Sequence, residues 1–228
     1  MKTYDRTRPL IAIHVPKAAG TSVRQVFETW FGRRLYRHYY HEIFGLKPRR
    51  TRLRRLFSST FREGVCIYGH FNRTRQMGIE HDYPEVQQFV TVLRDPFELA
   101  VSEYFYLRDA GRRWRDKSRI PTDDIETYLA RKTPNMLDHF PRPLTLDDYR
   151  EKLCADFIHI GITEDLAVSL RAMAHKLGFV PPAHIEELNR TERGQVVPYA
   201  FKEAFAARHP LEFAVYAFAR EIHAEGAT

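Results

Sequence analysis

The sequence predicts an α/β fold in which helices flank a central, mostly parallel sheet. Short apolar runs alternate along the chain with segments whose apolar residues recur at helical spacing, which is the pattern of such folds. With 228 residues, 43% of them hydrophobic, the chain can bury a substantial core, and disordered, collagen-like and coiled-coil proteins are excluded. We expect a single domain over residues 1–228, because the sequence shows no repeat and no convincing boundary.

The first strand–helix unit follows Pro9. The run Leu10–Val15 predicts a short buried strand, which the stretch Pro16–Ser22 ends. A helix is then predicted up to Gly32 from four apolar residues at helical spacing, namely Val23, Val26, Phe27 and Trp30.

Two more strands are predicted in the middle of the chain. They are the apolar runs Val65–Tyr68 and Phe89–Leu93. Asp95 is a suitable N-cap and Pro96 suits the first helical position, so a helix is predicted to begin there. Its apolar face comprises Phe97, Ala100, Val101 and Tyr104.

The last third of the chain predicts one strand and two helices. The strand is Phe157–Gly161, and Thr163 is predicted to cap the helix that follows it. That helix ends at Gly178, and its apolar side comprises Leu166, Leu170, Met173 and Leu177. A final helix is predicted over about residues 211–222.

Three of the predicted strands are expected to point at one site. In open parallel sheets ligands bind at the carboxyl ends of the strands, so the loops after Val15, Tyr68 and Leu93 should meet there. The stretches 111–123 and 132–147 are rich in loop residues, and we expect them to border a cleft for an acceptor.

The net charge of +7 is unevenly distributed along the chain. Arginine supplies 28 of the 36 basic residues. Residues 1–119 carry 24 basic and 12 acidic side chains, whereas residues 120–228 carry 12 and 17. The N-terminal half should therefore attract anions.

The arginines are concentrated in two places. The run Arg49–Arg55 holds five arginines in seven positions, and Arg112, Arg113 and Arg115 surround Trp114. Such clusters fit a solvated helix face, a platform for an anionic acceptor or a nucleic-acid contact.

Several protein classes are not expected for this sequence. No apolar run is long enough to span a membrane, and the N-terminal residues contain no signal-peptide core. The two cysteines, Cys66 and Cys154, cannot form a disulfide framework, and no Cys/His cluster has the spacing of a zinc site. We therefore expect a cytoplasmic protein without a metal.

The stretch Pro16–Ser22, PKAAGTS, has the composition of an anion-binding loop. Its small residues allow the backbone to wrap closely around a phosphate-like group, and the helix start that follows offers unpaired N–H groups. Lys17 adds a positive charge, and Thr21 and Ser22 add hydroxyl donors. It is not a Walker A motif, because the lysine precedes the glycine. An ordinary strand–helix turn with a surface lysine also fits these residue types.

A second candidate anion contact lies at the end of the third predicted strand. Arg94 is suited to a forked contact with a phosphate. Ser102 lies seven residues after Asp95, about two helical turns, and so returns to nearly the same face. Arg94 and Ser102 together are suited to hold one phosphate. Taken alone, these residues are explained more simply by a helix cap with an ion-paired arginine.

These motifs together resemble the sulfotransferases that use 3′-phosphoadenosine 5′-phosphosulfate (PAPS). Pro16–Ser22 resembles their 5′-phosphosulfate loop, and Val92–Pro96 with Ser102 and Tyr104 resembles their 3′-phosphate motif. The stretches HVPKAAGTS and VLRDPFELAVSEY are most similar to the carbohydrate branch, which includes heparan 2-O-sulfotransferases and bacterial relatives. The resemblance covers about residues 10–220, with the motifs in the correct order.

The resemblance implies a three-layer, P-loop NTPase-like sulfotransferase fold and an enzyme that moves the sulfuryl group of PAPS to a hydroxyl of a carbohydrate, neutral or anionic. Because Gly69-His70-Phe71 resembles the segment that holds a histidine base, His70 is expected to take the acceptor's proton. Lys17 is expected to be catalytic, and no metal is required. The residues expected to bind the donor are Lys17, Ala18, Ala19, Gly20, Thr21, Ser22, Arg94, Ser102 and Arg193.

Other interpretations stay open for some residues. His14, inside the first strand, is expected to be a core residue or to lie behind the reacting groups, and His41 and Glu42 are alternative bases or acceptor contacts. A P-loop kinase-like phosphotransferase would use the same strand–loop–helix anion site. A polyanion or nucleic-acid binding module would instead use the arginine run Arg49–Arg55.

Overall fold

Parallel strands form the centre of the computed structural model, which describes residues 1–48, 64–114, 116–185 and 197–226. The strands are β1 Leu10–His14, β2 Leu35–His38, β3 Cys66–Gly69, β4 Phe89–Leu93 and β5 Phe157–Ile162. Their order across the sheet is β2–β3–β1–β4–β5, and every pair of neighbours runs parallel.

The strand order reverses at β1, which is the middle strand of the sheet. On one side β1 pairs with β3, with Ile13 opposite Gly69, and on the other side with β4, with His14 opposite Val92. In such sheets the crevice for a ligand forms outside the carboxyl ends of the strands, where the strand order reverses. The loops after β1, β3 and β4 meet at this edge of the sheet, as predicted.

Helices cover both faces of the sheet. In the described part of the chain they are α1 Gly20–Phe31, α2 Ile79–Asp82, α3 Pro96–Ala110, α4 Ile125–Arg131, α5 Tyr149–Asp156, α6 Leu166–Leu177, α7 Tyr199–Arg208 and α8 Pro210–Gly226. None of these helices combines the length and the apolar character that crossing a membrane requires.

Alternate residues of β1 pack into two different cores. Leu10 and Ala12 belong to a cluster with apolar side chains of α1 and α6, whereas Ile11 and Ile13 belong to a cluster with α5 and α8. Both faces of the strand are buried, which is why its sequence is a continuous apolar run. The architecture is therefore helices, sheet and helices in three layers, as predicted.

The predicted strands differ from the observed ones by one residue at most at either end. The sequence does not predict β2, a four-residue strand at the edge of the sheet. Its alternation is weak because Leu35 and Tyr36 are only partly buried, and Arg37 is exposed. Edge strands with charged residues carry little of the apolar pattern on which such predictions depend.

The helix caps are predicted correctly in one case and wrongly in another. Asp95 caps α3, since its carboxylate accepts hydrogen bonds from the main-chain N–H groups of Phe97 and Glu98. The cap predicted at Thr163 is wrong. Residues 163–165 form a short 3₁₀ turn, and the carboxylate of Asp165 accepts from the N–H of Val168 instead. The extra turn moves the start of α6 by two residues.

Some predictions concern parts of the chain that the structure does not describe. Arg49–Arg55, Arg115 and Arg193 all lie outside the described residues. Arg112 and Arg113 are described, and both are exposed.

Candidate active site

The loop between β1 and α1 has a backbone that few non-glycine residues adopt. Lys17 has a φ of 67° and Ala19 a φ of 54°. Each left-handed residue of this kind costs roughly 1–2 kcal/mol. Left-handed residues next to right-handed ones turn successive N–H groups towards one concavity, which is a common way to bind an anion. Because an ordinary strand–helix turn does not require this strain, the backbone favours the anion-binding interpretation.

Gly20, the first residue of α1, lies against the ring of His14. A Cβ atom at position 20 would come within 1.6 Å of Nε2 of His14, so no other residue fits there without moving the histidine. The carbonyl of Gly20 also accepts a hydrogen bond of 2.7 Å from the hydroxyl of Tyr68 on β3. The start of α1 is therefore packed directly against the ends of β1 and β3.

Lys17 extends from this loop over an aromatic ring. Its Nζ lies 4.1 Å from the ring centre of Tyr106 on α3, a cation–π contact. Burial, and next the positive charge of Arg94, lower the pKa of Lys17 to about 8, while Glu103 acts in the opposite direction. At neutral pH most of the Lys17 amines are therefore still protonated.

Arg94 and Asp95 join the end of β4 to two other elements. Nη1 of Arg94 donates to the main-chain carbonyl of Lys17 at 3.2 Å, and Nη2 lies 3.8 Å from a carboxylate oxygen of Glu98. Asp95, besides capping α3, pairs with Lys202 of α7 at 2.8 Å. These contacts place Arg94 at the anion-binding loop, where the sequence had suggested it would be.

Ser102 lies two turns into α3 and is only 4% exposed. A serine hydroxyl both donates and accepts hydrogen bonds, which is what the predicted phosphate contact requires.

His70 follows β3 and belongs to a chain of three side chains. Its Nε2 lies 3.0 Å from Nδ1 of His14, and the two ring centres are 4.4 Å apart. The hydroxyl of Tyr39 lies 2.9 Å from the same Nδ1 atom of His14. The ring of Tyr39 also packs edge-on against His70, with ring centres 4.7 Å apart. His14 is therefore not a simple core residue, since it touches the candidate base directly.

These histidines are neutral at physiological pH. Burial, and next the nearby charged forms of His14 and His139, hold the pKa of His70 well below its usual value. Burial likewise lowers the pKa of His14 to about 3, and His139, Arg24 and Lys17 add to this effect. A neutral imidazole has a lone pair with which to accept a proton, so His70 has the protonation state that a general base needs.

A second cluster lies beside the anion-binding loop and contains Glu42, one of the alternative bases. The carboxylate of Glu42 accepts hydrogen bonds of 2.9 Å from both Arg75 and Arg119. Arg119 lies over the ring of Trp114. Trp114 in turn packs against Tyr106, and Lys17 contacts the ring of Tyr106. We call Glu42, Arg75 and Arg119 the arginine–glutamate cluster. Within it two positive charges face one negative charge.

The other alternative base, His41, packs against residues of its own segment. Its ring packs against Phe44 at 4.6 Å, and its main chain pairs with Leu46. No contact joins it to Lys17 or His70 among the residues that the structure describes. Glu42, for its part, forms ion pairs with two arginines and is their counter-ion.

The sequence predicts that Lys17, Arg94 and His70 belong to one site, but it does not predict several of their neighbours. Tyr106, Lys202 and His139 were not predicted to lie at the site. The ring of His139, fully buried in the loop-rich stretch 132–147, lies 6.1 Å from that of His70. The loop-rich composition of residues 132–147 predicts that this stretch borders the cleft, but it does not identify His139 in particular.

Sequence comparison finds no matching family model and no matching curated protein. The fold is similar to that of a sulfotransferase from Alicyclobacillus acidocaldarius, with a TM-score of 0.53, 16% identity and coverage of 93% of this chain and 96% of that one. A structure of mouse sulfotransferase SULT7A1 complexed with PAP also matches, with a TM-score of 0.47 and 15% identity. That match covers 78% of this chain, which spans 61% of the mouse chain. The similarity to the bacterial protein supports the predicted sulfotransferase-like fold.

Proposed function

We propose that this protein is a sulfotransferase that moves the sulfuryl group of PAPS to a hydroxyl of a carbohydrate. One observation carries the proposal: the strained loop with Lys17 and the neutral imidazole of His70 lie at the same edge of a sulfotransferase-like sheet. A transfer reaction needs these two features close together, a place for an anionic donor and a base for the attacking hydroxyl.

The residues at the loop suit the anionic donor. The N–H groups of residues 19–22, next to the left-handed Lys17 and Ala19, would hold its 5′-phosphate, whereas the N–H of Ala18 donates to the carbonyl of Val15. Arg94 and the hydroxyl of Ser102, a buried residue, would hold the 3′-phosphate. Arg193, predicted from the resemblance, would join them from outside the described residues. Once bound, the donor supplies a sulfuryl group on a phosphate leaving group.

Lys17 and His70 would act on the two ends of the transfer. The protonated amine of Lys17 would stabilise the negative charge that builds up on the leaving phosphate oxygen as the bond from that oxygen to sulfur breaks. His70 would accept the proton of the acceptor hydroxyl while the oxygen of that hydroxyl forms its bond to sulfur. Proton, charge and sulfuryl group are then all accounted for without a metal.

The arginine–glutamate cluster supports an acceptor that is a saccharide, including an anionic one. Arg75 lies over the ring of Tyr40 at 4.6 Å and Arg119 over Trp114 at 4.9 Å, so both guanidinium groups are held flat on aromatic rings. Tyr106 adds a ring that is 38% exposed next to Lys17. Aromatic faces and forked cations together suit a sugar that carries a carboxylate or sulfate group.

The proposal is tested by donor binding and by transfer. Calorimetric titration with adenosine 3′,5′-bisphosphate, the desulfated donor product, should show a single site. Incubation with sulfur-labelled PAPS and a panel of neutral and uronic-acid glycans should then label at least one of them. Lys17→Ala should bind the nucleotide and lose roughly 100-fold or more in turnover, whereas the exposed control Lys176→Ala should match the wild type.

Two results would overturn the proposal. Absence of nucleotide binding would remove the donor site. Magnesium-dependent ATP turnover that survives Lys17→Ala would instead indicate the P-loop phosphotransferase, which would use the same strand–loop–helix unit.

A further inference from the structure

His14 lies between the candidate base and the start of α1. One side of its ring, Nδ1, is 3.0 Å from Nε2 of His70 and 2.9 Å from the hydroxyl of Tyr39. The other side, at Nε2, covers Gly20 so closely that a Cβ there would clash at 1.6 Å. The ring also stacks on Tyr68, with centres 5.7 Å apart. The position and orientation of His14 are therefore determined from three sides.

We propose that His14 is a positioning residue: it hydrogen-bonds Nε2 of His70, so that the lone pair of His70 lies on Nδ1 and is directed to the acceptor hydroxyl. This inference rests on the proposed function. For Nε2 of His70 and Nδ1 of His14 to share a hydrogen bond, one atom carries the hydrogen and the other accepts it. Nδ1 has a single lone pair, so when it accepts from His70 the hydroxyl of Tyr39, 2.9 Å away, directs its own hydrogen elsewhere.

The direction of that hydrogen bond decides whether His70 is a base. If His70 donates from Nε2, its Nδ1 has a lone pair and can accept the proton of the acceptor. If His14 donates instead, the hydrogen of neutral His70 lies on Nδ1, and that atom can accept nothing. A fixed neighbour that accepts from Nε2 thus selects the reactive tautomer, as buried hydrogen-bond partners of catalytic histidines do.

His14 would also stabilise the product of proton transfer. After Nδ1 of His70 takes the proton, its ring is a cation, and the hydrogen bond from Nε2 to the neutral His14 becomes charge-assisted and stronger. The other charged or titratable groups around His70 are His38, Arg75 and His139, and in their charged forms all are positive. Of the groups around His70, which also include Tyr39 at 4.7 Å, His14 is the one whose side chain hydrogen-bonds the imidazole, so His14 can share this charge.

Substitutions at position 14 separate positioning from simple packing. Asparagine places an amide oxygen close to the position of Nδ1 and can still accept from His70, whereas leucine fills the space without accepting. We expect His14→Leu to lower kcat at least 10-fold with little change in the affinity for adenosine 3′,5′-bisphosphate, and His14→Asn to recover most of that loss. His14→Asp should move the acidic limb of the pH–rate profile to higher pH, because a carboxylate stabilises the imidazolium of His70.

A second measurement does not depend on turnover. Nitrogen NMR shifts of the His70 ring should show the hydrogen on Nε2 in the wild type and in His14→Asn, and a mixture of tautomers in His14→Leu. The control His175→Asn, at an exposed site on α6, should change neither the spectrum nor the rate. Equal rates and equal His70 tautomers in all four proteins would overturn the role of His14. Loss of nucleotide binding in the wild type itself would overturn the proposed function instead.

Discussion

Nη1 of Arg94 donates a hydrogen bond to the main-chain carbonyl of Lys17 at 3.2 Å. The two residues are 77 positions apart, at the ends of the adjacent strands β4 and β1. This contact holds the guanidinium beside the strained loop, where a bound anion would meet it. It also explains in part why the pKa of Lys17 is lowered, because Arg94 is the second cause after burial.

Arg94→Ala should weaken the binding of adenosine 3′,5′-bisphosphate about 10-fold or more, since a hydrogen bond to a charged group contributes about 1.5–3 kcal/mol. Arg94→Lys should restore only part of this, because an ammonium cannot make the forked contact. Calorimetric titration checks both variants. Arg131→Ala, at an exposed arginine on α4, serves as the control. An unchanged affinity in Arg94→Ala would exclude Arg94 from the donor site.

Gly20→Ala should lower stability by about 1–3 kcal/mol or more, as overpacked sites do. The added Cβ would meet Nε2 of His14, so the ring or the helix start has to move. The double variant Gly20→Ala/His14→Ala should recover stability without recovering turnover. Thermal melts of the wild type, Gly20→Ala, His14→Ala and the double variant measure this coupling, and simple additivity of the two single changes would argue against the contact.

Arg119→Ala should discriminate between acceptors. It removes one of the two cations around Glu42, so the cluster changes from a positive to a neutral net charge. We expect KM to rise several-fold for an acceptor with a carboxylate and to stay constant for its uncharged counterpart. A matched pair such as a β-glucuronide and a β-glucoside provides the measurement. Equal changes in KM for both acceptors would show that the arginine–glutamate cluster does not bind the charged group of the acceptor.

Glu212→Gln should stabilise the protein increasingly as the pH rises. Burial raises the pKa of Glu212 from 4.5 to about 8, with a smaller contribution in the same direction from Asp138. Below about pH 4.5 the carboxyl is protonated in both states, and its contribution to stability is complete. Between that pH and about 8 the unfolded chain loses the proton first, so wild-type stability falls.

In the Glu212→Gln variant the side chain at position 212 cannot ionise, so the stability of the variant does not fall in this pH range for that reason. The difference in Tm between Glu212→Gln and wild type should therefore grow from pH 4.5 to pH 8 by at least about 4 °C, since 1 kcal/mol corresponds to roughly 2–4 °C at this chain length. Differential scanning calorimetry across that range measures it. A difference in Tm that does not depend on pH would contradict the burial of an ionisable group at this position.

Much of the fold was predictable because its signals are local. The apolar run of β1 and the cap at Asp95 are read from consecutive residues, and the structure agrees with both. The errors also have local causes. The edge strand β2 lacks a strong apolar pattern, and the cap expected at Thr163 moved to Asp165 because a 3₁₀ turn precedes α6.

The candidate site was predictable only where its residues lie at the strand ends. The sequence by itself determined the strand–loop–helix unit around Lys17 and the position of His70 after β3, since strand patterns and loop composition are properties of short segments. Only the tertiary structure decided which distant side chains meet. It placed His14 on His70 across 56 residues, and Glu42 on Arg119 across 77. Contacts of this kind depend on strand order and helix packing, which bring together residues that no local pattern connects.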